Sequence, residues 1–418
     1  MNTWLSHALA AAETVHDSLS AKRQYSLQRL KTTPWPTRKT EAWKYTPLRA
    51  LEKLDLPDVA ANPDVNLESI PELATLDFVF VDGHLQSSPL TELPPGLTIT
   101  ALSDAAGTAQ LQQLFASVKP ERHYFGLVND VLAKDGLFID LAANTQIENP
   151  IRIVSHLTQG AEAHVRLLVR VGNNAALTII EQNSGNAPSV NTLFSEYQLA
   201  DHARLQHYRL ALQVQRAISL GGNHFQLDKA ANLQTNILAF GSQLSRLDVD
   251  VIHNGEDTSA QVNAIYLLDD IELFDLHTNI EHKVPNGTTE ENVRGIIGGA
   301  GKAVFNGRIH IHPHAQKTNA QLNNRNLLLG NHAEVDTKPE LEIYADDVRC
   351  AHGATVAQIE ERSLYYLQSR GIDRQTAQAM LNFGFINALL EQMPHSAISD
   401  WLRPQIHNRF NAVYQRQG

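Results

Sequence analysis

The sequence contains one cysteine, Cys350, and two residues further on a histidine, His352, in the run RCAHGAT. On an extended segment residues i and i+2 share a face, so thiol and imidazole would stand together as a pair of soft and borderline ligands suited to iron or copper. Two donors do not complete such a site, because iron-sulfur clusters take four thiolates or a mixture of Cys and His. A functional metal site here therefore requires ligands from a second chain. Taken on these residues alone, a buried inert cysteine beside a packed histidine is the stronger account.

Nineteen histidines are more than a chain of this length needs. His310, His312 and His314 alternate, and the two-residue period of a strand would direct all three imidazoles at one metal, with Glu281, His282 or Asp275 as neighbours. Pro313 interrupts the ladder inside that set and favours scattered surface or turn histidines instead. His253, His277 and His282 are read as lying near strand ends, where an imidazole bonds a backbone carbonyl. The sequence has no GxxxxGK[ST], no GxGxxG after a strand, no GxSxG and no HExxH. Their joint absence argues against an NTPase, a nucleotide-dependent oxidoreductase and a hydrolase.

The elements that must position these residues follow from periodicity. Trp4, Leu5, Ala8, Leu9, Ala12, Val15 and Leu19 recur at helical spacing, which predicts one amphipathic helix over residues 3–30. Pro34-Trp35-Pro36 then forms a rigid break. DFVFVDG (77–83) and LTITAL (97–102) read as strands, and AQLQQLFASV (109–118) and HYFGLVNDVLA (123–133) as helices, so residues 1–135 form a mixed α/β cap. Over 136–346 short apolar segments such as VRLLVRVG, ALTIIEQ and SRLDVDVIHN follow one another, separated by Asn, Gly and Asp turns. The run is too long for one sandwich, and a parallel β-helix is preferred to two sandwiches or a barrel. Asn173, Asn174 and Asn254 belong at its corners, and both terminal regions are expected to cap its open ends.

Helical periodicity returns in residues 347–418. Thr355-Val356-Ala357-Gln358 has the form of a capping box ahead of Ile359, Leu364 and Leu367. Asp373 reads as the N-cap of a second helix ending before Pro394, and a third covers about 396–415 with Ile398, Trp401, Leu402, Ile406, Phe410 and Val413 on one face. Three helices around so small a hub leave open whether one apolar stripe serves a partner or all of it packs internally.

With 34 Lys and Arg against 45 Asp and Glu the net charge is -11, which argues against general affinity for nucleic acid or anionic membranes. The densest early basic stretch, Arg38, Lys39 and Lys44, is interrupted by Glu41 and reads as a solvated face. The first residues, MNTWLSHALAAAETVHDSLSAKRQ, fit neither a secretory nor a transit signal, no apolar run reaches membrane-spanning length, and a lone cysteine suits a reducing cytoplasm.

Three blocks go further. TKPELEIYADDVRCAHGATVAQIEERSLYYLQSRGIDRQTAQAMLNFGF (337–385) and AVFNGRIHIHPHAQKTNAQLNNRNLLL (303–329) resemble the C-terminal signature of the SufB/SufD family of iron-sulfur cluster assembly proteins, and PTRKTEAWKYTPL (36–48) is similar to the N-terminal signature of its SufD branch. The resemblance implies a mainly β protein with a right-handed parallel β-helix core, an N-terminal helical and α+β cap and a C-terminal helical region. It implies a non-enzymatic scaffold in a SufBCD-type complex, pairing with a SufB-like subunit through the solenoid and docking a SufC-like ABC ATPase through C-terminal helices. Cys350 and His352 then contribute metal ligands, His352 the stronger, to iron or a nascent cluster shared with the partner. The isolated chain would carry no cofactor of its own; apart from the resemblance, an exposed ladder left without its heteropartner tends to find another, which allows a homodimer through the same solenoid surface when the chain is isolated. SufB's sulfur-accepting cysteines have no counterpart here, which favours the SufD branch. The rival readings are a β-helix enzyme acting on polysaccharide and a cupin-type metalloprotein built on His310, His312 and His314.

Overall fold

The computed structural model describes residues 3–415 apart from 55–64, 66–67, 89–92, 105–107, 186–187 and 214–215. The chain opens with α1 (Thr3–Ala12), α2 (Ser20–Thr32) and α3 (Arg49–Glu52), then β1 (Leu76–Val81), β2 (His84–Ser87) and β3 (Leu97–Ala101), then α4 (Ala109–Leu114) and α5 (Tyr124–Leu132). Next come β4 (Asp135–Leu141), β5 (Ile151–His156), β6 (Glu162–Val171), β7 (Ala176–Ser184), β8 (Ser189–Leu199), β9 (Arg204–Ala211), β10 (Ala217–Leu227) and β11 (Asn232–Ala239). The strands continue as β12 (Leu244–His253), β13 (Ser259–Leu268), β14 (Leu273–His282), β15 (Thr288–Ile297), β16 (Lys302–Ile311), β17 (Asn319–Leu328), β18 (Glu334–Ile343) and β19 (Arg349–Ala357). Helices α6 (Glu361–Ser369), α7 (Arg374–Glu391) and α8 (Ser396–Gln415) follow.

Odd strands from β5 to β19 form one sheet with β1 and β2, and even strands from β4 to β18 form a second with β3. Neighbours from β4 and β5 onward are parallel, so each circuit of the chain adds one strand to each sheet and builds a β-solenoid of about eight turns. One corner of each turn needs a left-handed residue, and Asn144, Asn174, His202, Ala230, Asp257, Asn286 and Lys317 supply it with φ between 53° and 63°, every 27 to 31 residues. Asn and Asp tolerate that conformation because their short polar side chains bond locally. Successive corners are tied by backbone hydrogen bonds, for example Asn174 N to Asp201 O at 2.9 Å and His202 N to Lys229 O at 2.8 Å.

Strand alternation sends one set of side chains into the solenoid, where Leu177, Ile179, Leu205, Val262, Phe305 and Leu322 belong to one continuous core. What differs along the axis is the outside. On β8 both faces are buried nearly throughout, whereas β17 alternates buried with exposed. The cause is helix cover: α1, α2 and α5 pack on Phe194, Ile218, Leu220 and Leu244 of the even sheet, and α7 and α8 pack on Tyr208, Leu238, Ile265 and Ile296 of the odd sheet. A strand covered on both faces must be apolar on both, and VRLLVRV in β6 against NAQLNNRNLL in β17 carries that difference.

The β-helix core with flanking helical regions agrees with the sequence reading, and three local expectations are corrected. The helix expected over 3–30 is two, because the Asp17 carboxylate accepts from Leu19 N at 3.0 Å and the Ser20 hydroxyl accepts from Asp17 N at 3.0 Å, a local pattern that competes with helix continuation. The capping box expected at Thr355 does not form: Thr355 to Ala357 belong to β19, strand pairing runs past residue 346, and the residue before α6 is Glu360. Finally, the C-terminal helices cover the side of the solenoid instead of its end, because the apolar row they bury lies on the outer face of β7 to β15. Asp373 does cap α7, accepting from Thr376 N at 3.0 Å. No described helix is long and apolar enough to cross a membrane.

Candidate functional site

Because the cover of α7 and α8 runs from β7 to β15 and stops short of β18 and β19, the last turn is bare. Among the described residues β19 pairs only with β17 and β18 only with β16, so each is the terminal strand of its sheet. Nearly every residue of β19 is exposed, and Ile343, Tyr344 and Val356 stand open at this end. The outer face of β18 is dressed with ion pairs, Lys302 to Asp336 at 2.9 Å, Arg308 to Glu342 at 2.6 Å and Lys338 to Glu340 at 2.9 Å, which suit it to water without a covering helix.

Cys350 and His352 lie on this terminal strand. Cys350 is in register with Ala320 and His352 with Leu322, both members of the inward-facing core, so thiol and imidazole share the lumen side, as the two-residue spacing requires. Cys350 is half-buried against that core and His352 is exposed. Burial pushes the Cys350 thiol up, with the Ala320 backbone opposing, so the resting group is the thiol and not the thiolate. A metal reaching it has to displace the proton. The arrangement offers one sulfur and one nitrogen at the mouth of the solenoid, on a strand whose far edge has no partner among the described residues.

The other sequence-picked histidines separate. His310, at the end of β16, has its Nδ1 2.8 Å from Glu342 Oε2 and 2.7 Å from Arg308 Nη2, and its ring 4.3 Å from that of His312. His312 lies 3.7 Å from Glu281, and His314 falls in the following turn. Among the described residues these donors do not converge as a metal-binding group. His282 is directed inward and stacks on His253 at 4.0 Å, and Asp275 is held by Arg246 and His277. His253 and His282 bond threonine hydroxyls, not the expected carbonyls, and His277 sits in the middle of β14.

A cluster that sequence reading missed is His123, His224 and Asp250, whose donor atoms lie within 4.8 Å of one another. His224 on β10 is in register with Asp250 on β12, both on the outer face, and His123 reaches them from the residue before α5. The loop before His123 is anchored by Glu196, which accepts the backbone N–H groups of Ala116, Ser117, Val118 and Lys119 at 2.6 to 2.8 Å. Asp250 Oδ2 is 2.7 Å from His123 Nε2 and 2.8 Å from His224 Nδ1. Burial opposes a charge on His123, but Asp250 and Asp248 outweigh it and the net displacement is upward. Burial drives His224 down to about 4. No local motif announces this group, since its members lie on three elements far apart in the chain.

A parallel solenoid with helices laid on both outer faces and a bare last turn is the class of protein that fold and site define. Residues 154–385 match the family described as "SUF system FeS cluster assembly, SufBD core domain", and residues 5–153 match "SufBD protein N-terminal region". The chain is 32% identical to iron-sulfur cluster assembly protein SufD of Escherichia coli K12, over 96% of this chain and 95% of that protein. It is 29% identical to a SufBD family protein of Synechocystis, over 91% and 89% of the two chains, and 27% identical to the chloroplastic protein ABCI7 of Arabidopsis thaliana, over 95% and 90%. The chain belongs to the SufBD family of iron-sulfur cluster assembly proteins, and it is of the SufD type.

Proposed function

We propose that this chain is a non-enzymatic SufD-like scaffold subunit of a SufBCD-type complex in the cytoplasm, and that its bare last turn joins a SufB-like subunit around a nascent iron-sulfur cluster. The cluster is cargo. Cys350 and His352 lend it one sulfur and one nitrogen, and the partner chain provides the remaining ligands. The observation that carries the reading is that both residues face the lumen of a terminal strand, and an unpaired strand edge is a template for another chain. In the absence of a SufB-like subunit a second copy of this chain takes that edge.

A SufC-like ABC ATPase docks on α6 and α7 in this reading. α6 buries only Leu364, and Tyr365, Tyr366 and Met380 are at least half exposed, an apolar set without cover on a two-helix unit joined by the Arg374 to Glu361 ion pair. The test is co-expression with SufB-like and SufC-like subunits. Wild type and His352→Ala should both give an intact complex, with cluster formation impaired in the variant. A wild-type cluster yield in His352→Ala would refute the ligand role, and failure of the wild-type chain to co-purify would refute the scaffold reading.

A further inference from the structure

The His123, His224 and Asp250 cluster has no part in the reading above, and its layout is that of a metal centre. Two imidazole nitrogens and one carboxylate oxygen converge, a donor set that holds iron(II) and zinc(II) while leaving positions free for water. Two of the three metal-directed groups, His123 and Asp250, are also held from behind by charged side chains. His123 turns its second nitrogen, Nδ1, toward Asp248 Oδ2 at 3.4 Å, the carboxylate-behind-histidine arrangement that orients ligating imidazoles. Asp248 is gripped by Arg246 at 2.8 Å, and Arg246 lies on the Trp43 ring at 4.1 Å. Asp250 Oδ1 is held by Arg122, which leaves Oδ2 as the oxygen turned to both rings. The His224 ring is pinned against Phe194, stacked at 5.9 Å and 13°, and Gly222 leaves the space its Nε2 fills.

Charge and access fit the same use. Asp248 and Asp250 stand in the wall of a cleft of about 370 Å³ between the N-terminal region and the even sheet, and Asp275 lies behind them on Arg246 at 3.0 Å. Arg122 and Arg246 pair with Asp250, Asp248 and Asp275, so two cations face three carboxylates around the cluster and a divalent ion would oppose the remaining negative charge. We propose that His123, His224 and Asp250 bind a divalent first-row transition-metal ion of the iron(II) and zinc(II) class, with Asp248 positioning His123. The site is on the flank of the solenoid, apart from Cys350 and His352, and would tie the N-terminal region to the even sheet.

The test separates the two places from the start. The full chain carrying Cys350→Ser and His352→Ala is loaded anaerobically with Fe(II), and separately with Co(II), and bound metal is counted after gel filtration. One equivalent should remain, with visible Co(II) ligand-field absorption and an Fe X-ray absorption first shell of nitrogen and oxygen containing two imidazoles. Adding Asp250→Asn or His123→Gln should remove it, and Asp248→Asn should weaken it by roughly 10- to 100-fold, as loss of an orienting carboxylate does. Absence of bound metal, binding that survives both ligand substitutions, or a first shell without two imidazoles would overturn the proposal. If Asp250→Asn fails to fold, the X-ray absorption of the chain with His123, His224 and Asp250 intact decides alone.

Discussion

Glu291 and His352 occupy one inward-facing row of the solenoid, with Leu322 between them: Glu291 is in register with Leu322, and Leu322 with His352. His352 is open to solvent, whereas Glu291 is fully buried and neither carboxyl oxygen has a well-formed hydrogen-bond partner. Burial pushes the Glu291 carboxyl up to about 7, with Thr278 opposing. Between the ordinary carboxylate value and about pH 7 the folded protein therefore keeps a proton that the unfolded chain has lost. Stability should fall as pH rises through that window and level off above it, a loss on the order of 3 kcal/mol at 1.36 kcal/mol per unit. Urea midpoints from pH 5 to pH 8 should show this slope, and Glu291→Gln should flatten it. An unchanged slope in the variant would mean that Glu291 is not the group responsible.

Glu181, on β7 and six turns away from the open end, has the opposite character. Its carboxylate meets Arg209 Nη1 at 2.5 Å, His207 Nε2 at 3.1 Å and the Tyr197 hydroxyl, all within the lumen. Burial works against ionisation, but His207, Arg209 and Tyr197 prevail and hold the carboxyl at about 2. Removing one partner strands a buried charge, so Glu181→Ala should cost about 3–5 kcal/mol in denaturant unfolding. Replacing both ends, Glu181→Leu with Arg209→Met, should recover most of that loss.

Gly222 is the position where a single methyl should act at a distance. A Cβ there would fall 2.5 Å from His224 Nε2 and 2.8 Å from the Phe194 ring, both buried and stacked on each other. Gly222→Ala should destabilise the fold by about 1–3 kcal/mol through overpacking and displace the His224 ring. Thermal melting gives the first effect, and weaker Co(II) binding by the folded variant gives the second.

Tyr365 and Tyr366 should report on docking with little influence on folding. They are 74% and 58% exposed, so Tyr365→Ala and Tyr366→Ala should shift stability by no more than about 0.5 kcal/mol. In a pull-down with a SufC-like ATPase the double variant should lose binding. Retained binding would move the docking surface elsewhere.

The repeated strands, the Asn-rich corners, the Asp373 cap and the shared face of Cys350 and His352 were all legible in the sequence, because each depends on spacing within a few residues. The contrast between VRLLVRV and NAQLNNRNLL, which marks whether a strand is covered on one face or two, was not part of that reading and took its meaning from the packed helices. Which element does the covering is not local information. That α7 and α8 lie along the side of the solenoid and leave β18 and β19 bare, and that His123 meets His224 and Asp250, depend on how segments a hundred or more residues apart pack. Periodicity states which surface must be buried, and only the packed chain decides against what.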